Sequence, residues 1–118
     1  MREQIIELTD GSKMSVKVNF GTLYYLSEVK CNELAERLEK KKKKNQKISY
    51  FENMKFAAKI IYAILRSNGK LVTFDEAMAL VPVDTEQIEK VVDVYRTEIE
   101  RLKKKQESKQ KMKNFVQK

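Results

Sequence analysis

The chain has 118 residues, 42% of them hydrophobic and 36% charged, with a formal net charge of +8. That length allows one domain with one core. It has no His and a single Cys, which removes the commonest catalytic base and metal ligand and excludes an internal disulfide or a thiolate metal cage.

With 3 Gly and 1 Pro, the turn-rich architecture of a β-sandwich is not expected. The opening Met1-Arg2-Glu3-Gln4 is polar and does not resemble a secretory signal. No apolar run approaches the roughly 20 residues that span a bilayer. A cytoplasmic protein with a reduced Cys31 is expected, with no enzymatic activity, cofactor or metal.

Residues 3–18 predict a β-hairpin, because Ile6 and Leu8 alternate before the turn and Met14, Val16 and Val18 after it. A two-residue Asp10-Gly11 turn would mix the faces. A three-residue loop, Thr9-Asp10-Gly11, with Gly11 left-handed, pairs Leu8 with Ser12 and Ile6 with Met14. The wet face then sets Glu7 opposite Lys13 and Glu3 opposite Lys17. A lone hairpin is marginal in water, so its apolar face must lie on the helices or on a partner.

Helix one is predicted from Gly21 to Glu39. Leu23, Tyr24, Cys31, Leu34, Ala35 and Leu38 fall in one arc, with Leu26 at its edge, and Tyr25 and Val29 lie opposite. Cys31 reads as a small core residue rather than a reactive thiol. Residues 40–48, with 6 Lys and no acid, read as a solvated linker.

Helix two is predicted from Tyr50 to Ser67. Phe51, Met54, Ala58, Ile61 and Leu65 keep a helical spacing, and Phe56, Ala57, Ile60, Tyr62 and Ile64 fill the rest of the circumference. A helix apolar nearly all round is a central one. Gly69 is its expected left-handed cap. Thr73-x-x-Glu76 is a capping box for a short third helix that stops before Pro82. Asp84 caps a fourth, with Gln87 at the reciprocal position and a stripe of Ile88, Val91, Val92, Tyr95, Ile99 and Leu102. Residues 1–102 thus form a mainly α (α+β) domain, a hairpin on about four helices, and 103–118 form a basic, flexible tail. In that tail Met112, Phe115 and Val116 return at i, i+3 and i+4.

The positive charge is unevenly placed. Residues 1–39 and 49–102 are each net −2, whereas 40–48 and 103–118 are each net +6. A nucleic-acid reader shows the opposite, a basic folded face. The helices at 73–102 superficially fit a helix-turn-helix, but the reading helix would begin Thr85-Glu86-Gln87-Ile88-Glu89 and repel phosphates. No nucleophile with a base and no Gly-rich phosphate loop is found. The alternative to a protein-binding module is therefore a small regulator or nucleic-acid accessory protein that holds polyanions through its Lys-rich segments. Tyr25 and Val29, off the core arc, and Met112, Phe115 and Val116, beyond it, are the candidate partner-binding residues.

One order of elements carries a resemblance. A short hairpin (Ile5 to Val18) leads through Phe20-Gly21-Thr22-Leu23-Tyr24-Tyr25-Leu26 into a helix. An apolar helix follows (Phe56-Ala57-Ala58-Lys59-Ile60-Ile61-Tyr62-Ala63-Ile64-Leu65), then the capped Thr73-Phe74-Asp75-Glu76-Ala77 segment and a closing helix. Over residues 5–102 this resembles the tail assembly chaperones of long-tailed bacteriophages and their prophage copies. The resemblance implies a non-enzymatic, self-associating protein of the host bacterial cytoplasm. It would coat the tape measure protein and give way as tail tube protein polymerises. Such chaperones are often made in two lengths by a ribosomal frameshift, and this chain would match the shorter form.

Overall fold

The computed structural model describes the backbone of residues 5–116 and the side chains of 5–102 and Lys104. The hairpin strands are β1 (Ile5–Glu7) and β2 (Lys13–Ser15), paired antiparallel with Ile6 opposite Met14 and Glu7 opposite Lys13. This is the register that the alternation predicts; the Glu3–Lys17 pair lies outside the described residues. Gly11 has φ +85°, and its N–H donates to the Leu8 carbonyl at 3.0 Å. The apolar face of the hairpin (Ile6, Leu8, Met14, Val16, Val18) is buried on the helices. Its tip is tied down separately: the Thr9 N–H donates to the Leu80 carbonyl at 3.1 Å, and its hydroxyl to the Val81 carbonyl.

Helix one is two helices, α1 (Phe20–Glu28) and α2 (Cys31–Lys43), because Lys30 between them is left-handed at φ 57°. The break frees the Val29 carbonyl, which accepts from the Lys59 ammonium. Asn19 caps α1 in a capping box with Thr22, whose buried hydroxyl also meets the Ser67 hydroxyl at 2.7 Å. The break also resets the helical phase. On α2 the predicted Cys31, Leu34 and Leu38 are buried, but on α1 the inward residues are Thr22 and Leu26, and Tyr24 is 64% exposed.

The Lys run is helical as far as Lys43, so the linker expected over 40–48 is confined to the residues after it. Two causes are visible. Cations at a helix C-terminus are favoured by the backbone dipole. Asn45, left-handed at φ 56°, also closes the helix with a Schellman pair: Asn45 N–H to the Lys42 carbonyl and Gln46 N–H to the Lys41 carbonyl.

The third α-helix of the chain proper is α3 (Tyr50–Ser67), with nine buried side chains spread round its axis. Ser49 and Glu52 form its capping box, and Gly69, at φ +90°, ends it with a second Schellman pair. The expected α3 stripe fails only at its first turn, where Phe51 is 72% exposed and Met54 half-buried. The short α4 (Phe74–Ala79) is capped by Thr73 with Glu76, as predicted. The last helix, α5 (Thr85–Val116), opens with the Asp84 carboxylate accepting the Glu86 N–H. It continues past Leu102, where the predicted stripe ends, through the backbone of the segment expected to be a flexible tail.

Helix α3 packs against α1, α2, α4 and α5, and β1 packs on α5. At 32 residues, α5 is about 48 Å long. The molecule measures 52 × 37 × 27 Å, and its radius of gyration, 15.5 Å, exceeds the roughly 13.5 Å of a compact chain of this length. Among the described side chains, Leu102 is the last buried on α5.

Two outcomes follow from this packing. Nothing lies within 4 Å of a Cβ built on Gly11, so Gly11→Val meets no clash and its cost is backbone strain alone. Chemical denaturation should show a loss of about 1–2 kcal/mol. The second concerns Glu52, whose carboxylate accepts from the Lys41 ammonium at 2.7 Å and from the Ser49 N–H. The Lys41 bond, then the Ser49 backbone bond, draw its pKa down from 4.5 to about 2. A depressed carboxyl stabilises the fold above its unfolded pKa and ceases to as pH falls through the folded one. Glu52→Gln keeps a capping residue but loses the charge. It should be less stable than the native chain at neutral pH. The gap should close between pH 4.5 and about 2 in urea titrations at stepped pH.

Candidate partner-binding surface

Tyr25 and Val29 are half-buried against the core rather than turned away from it. The Tyr25 ring meets the Tyr62 ring edge-on at 6.2 Å between centroids, and the Arg66 guanidinium lies 5.2 Å over its face. Tyr62 in turn meets Phe74 at 6.0 Å, so an aromatic row joins α1, α3 and α4. Val29 ends α1, its N–H donating to the Tyr25 carbonyl while its own carbonyl takes the Lys59 ammonium. Both residues fasten α1 to α3. Burial draws the Lys59 pKa down. The apolar side chains that α1 does present are Phe20 and Tyr24, four residues apart and 49% and 64% exposed. Met112, Phe115 and Val116 fall within the span of α5, but their side chains lie outside the described residues.

Cys31 is fully buried, as its place in the arc predicts. Burial pushes its thiol up to about 12, which the Lys59 charge and a hydrogen bond with Tyr95 only partly offset. A thiol so far above neutrality is a core group, not a nucleophile. Burial raises the Tyr95 hydroxyl as well. Among the described residues no cluster of three His, Cys, Asp or Glu could hold a metal, and no helix is long and apolar enough to cross a membrane.

A concave feature runs along the seam between α2 and α5. One stretch, about 400 Å³, has Asn32, Ala35, Glu36 and Glu39 on one wall and Tyr95, Arg96, Ile99 and Glu100 on the other. Phe56 of α3 floors it and meets the Tyr95 ring edge-on at 5.6 Å. A second stretch, about 310 Å³, carries Lys42 and Ile48 opposite Glu89, Val92 and Asp93 and shares Arg96 with the first. The walls show that α2 and α5 are antiparallel, since residues 32–39 share a stretch with 95–100 and Lys42 shares one with 89–96. The furrow follows α5 from Glu89 to Glu100, about 17 Å or three helical turns. Its side walls hold five acids (Glu36, Glu39, Glu89, Asp93, Glu100) against Lys42 and Arg96. The Arg96 guanidinium reaches across to Glu39 at 3.6 Å.

This antiparallel arrangement separates the two Lys-rich segments. Lys40 to Lys43 end α2 beside the start of α5, while the backbone from Lys103 to Val116 is the C-terminal part of α5. Lys41 is paired with Glu52, and Lys42 faces Glu89 and Asp93. Sequence periodicity could not show the furrow, because its walls come from segments more than 40 residues apart. Compared with family models, with curated proteins and with solved structures, the chain has no match.

The two neighbouring tyrosines of α1 should therefore behave differently. Tyr25→Ala removes an edge-on ring contact and a guanidinium contact and should cost about 2 kcal/mol in chemical denaturation. Tyr24→Ala should stay within about 0.5 kcal/mol.

Proposed function

We propose that the protein is a non-enzymatic binding module that holds an amphipathic helix along the α2–α5 furrow. More specifically, we propose that it acts as a tail assembly chaperone of a long-tailed phage or prophage. It would work in the host bacterial cytoplasm, keeping the tape measure protein soluble and helping to recruit tail tube protein. The observation that carries this reading is the furrow itself, where Ala35, Tyr95 and Ile99 lie over a buried Phe56 between side walls about three turns long that carry an excess of acid. A helix in a groove is anchored by its apolar stripe, and flanking charges set its register. An acid-walled furrow fits a helix whose stripe is flanked by Lys and Arg. The order of hairpin, capped helices and apolar central helix, which carries the resemblance to these chaperones, adds support. Self-association belongs to the same proposal.

In this reading Tyr25 and Val29 contribute by holding α1 in place. Met112, Phe115 and Val116, on a segment of net charge +6, supply a second apolar contact to a partner or to another copy. The separation of the two Lys runs, and the acids beside Lys41 and Lys42, favour protein binding over the polyanion alternative.

Co-expression with a tape measure protein tests this. Glu36→Lys with Glu100→Lys reverses charge on both furrow walls at exposed positions and should leave the helical circular dichroism unchanged. It should also move the tape measure protein from the soluble to the insoluble fraction. Equal protection by the reversed and native chains would rule out the furrow. Truncation after Leu102 should leave a folded domain and weaken protection. A truncated chain that protects fully would remove the terminal segment from the mechanism.

A further inference from the structure

A smaller cleft lies on the opposite side of α2 from the furrow and shares no residue with it. It has a volume of about 210 Å³, with Lys30, Glu33, Leu34 and Arg37 on one wall and Lys55 and Lys59 of α3 on the other. Positions 30, 33, 34 and 37 recur at helical spacing on one side, whereas 32, 35, 36 and 39 lie on the side that walls the furrow. We propose that this cleft binds the phosphoryl group of a small molecule through Lys30, Arg37, Lys55 and Lys59.

The charge is the first support. Four cations line the cleft against one carboxylate, Glu33, in a domain whose folded segments are net negative. Lys55 and Lys59 stand four apart on α3, a spacing at which like charges destabilise a helix. Among the described residues none of the four cations forms an ion pair, and neither does Glu33. Glu52, one turn before Lys55, is taken by Lys41. The Lys59 ammonium donates to the Val29 carbonyl, a neutral acceptor, and keeps two further donors. That bond anchors it at the cleft, since Val29 ends α1 just before the left-handed Lys30. Burial draws the Lys59 pKa down, and the charges of Lys55 and Arg37 add to the effect while Cys31 and Glu33 oppose it. The cations are thus held close enough to repel one another.

The chemistry of the donors selects the ligand. A surplus of three positive charges is matched by a multiply charged anion better than by a single carboxylate. Arg presents a planar fork to phosphate oxygens, and Lys meets the same group as a point charge. Leu34 is buried and apolar, so recognition is left to the cations. The cleft is smaller than the roughly 300–1,000 Å³ of sites that enclose a drug-sized ligand, so it takes a phosphate head and not a whole nucleotide. This site does not depend on the furrow reading, and either can fail alone.

The probe is pyrophosphate, titrated into the full chain by calorimetry with the ionic strength held constant by sodium chloride. Saturable binding at one site is expected. In amide NMR spectra the signals of residues 30–37 and 55–59 should shift, and those of 40–47 and 103–118 should not. Dimethyl phosphate, which carries a single charge, should bind the native chain at least about tenfold more weakly. Arg37→Gln and Lys55→Gln should each weaken binding about threefold, and together about tenfold, with circular dichroism unchanged. Glu33→Gln removes the one carboxylate of the cleft and should strengthen binding about threefold. The spectra and the comparison of ligands use the native protein and do not depend on how any variant folds. The proposal is overturned if the native chain shows no saturable binding, or if the shifts fall on the Lys-rich segments instead. It is also overturned if dimethyl phosphate binds as well as pyrophosphate, or if the double variant folds and binds undiminished.

Discussion

The apolar residues of α3 run all the way round its axis, and every other element is placed by the need to cover one side of it. An amphipathic helix lies on a core, but a helix buried all round must sit inside one. Helices α1, α2, α4 and α5 each take a share of its circumference. The hairpin is held by the same assembly, since its apolar face is buried with the helices and β1 rests on α5. A two-stranded sheet could not persist alone in water. The grooves are a by-product of the same arrangement. Where α2 and α5 diverge over α3, Phe56 becomes a floor, and where α2 rests on α3, the basic cleft opens.

Features of the fold written in local chemistry were legible in the sequence. The hairpin register followed from the alternation of Ile6, Leu8, Met14 and Val16, and only a left-handed Gly11 reconciled it with one buried face. Thr73 with Glu76 and Asp84 marked helix starts by capping chemistry, and Gly69 marked a helix end by its backbone freedom. The break at Lys30 was not legible, because no Gly, Pro or Asn stands there. The left-handed turn follows from tertiary packing, which α1 and α2 satisfy with different faces. Treating them as one helix assigned Tyr24 to the core and Tyr25 to the surface, the reverse of their places. The box at Asn19 and Thr22 was a readable signal for the true start of α1.

The Lys run shows why charge alone is a poor guide to order. Consecutive cations repel, and read along the sequence they look like a solvated spacer. On a helix they spread round the axis, the last turn favours positive charge, and Lys41 gains Glu52 as a partner. The furrow was not legible in place. The sequence puts a partner groove against the apolar central helix, and Phe56 of that helix lines the furrow. The walls could not be read, since α2 and α5 meet only in three dimensions.

The bond from Thr9 to Val81 spans 72 positions of sequence, and this sets an order on folding during synthesis. The strands of the hairpin leave the ribosome first, but the backbone that pins their tip is made last among the core's early elements. At about 5–20 residues per second the delay is roughly 4–14 s. Through that interval the strands have no α5 to lie on, and an uncovered strand pair is open to other chains. The hairpin can form early, but its tip is locked only after α4 has been made. The native topology is complete only once a ribosome has translated well past α4.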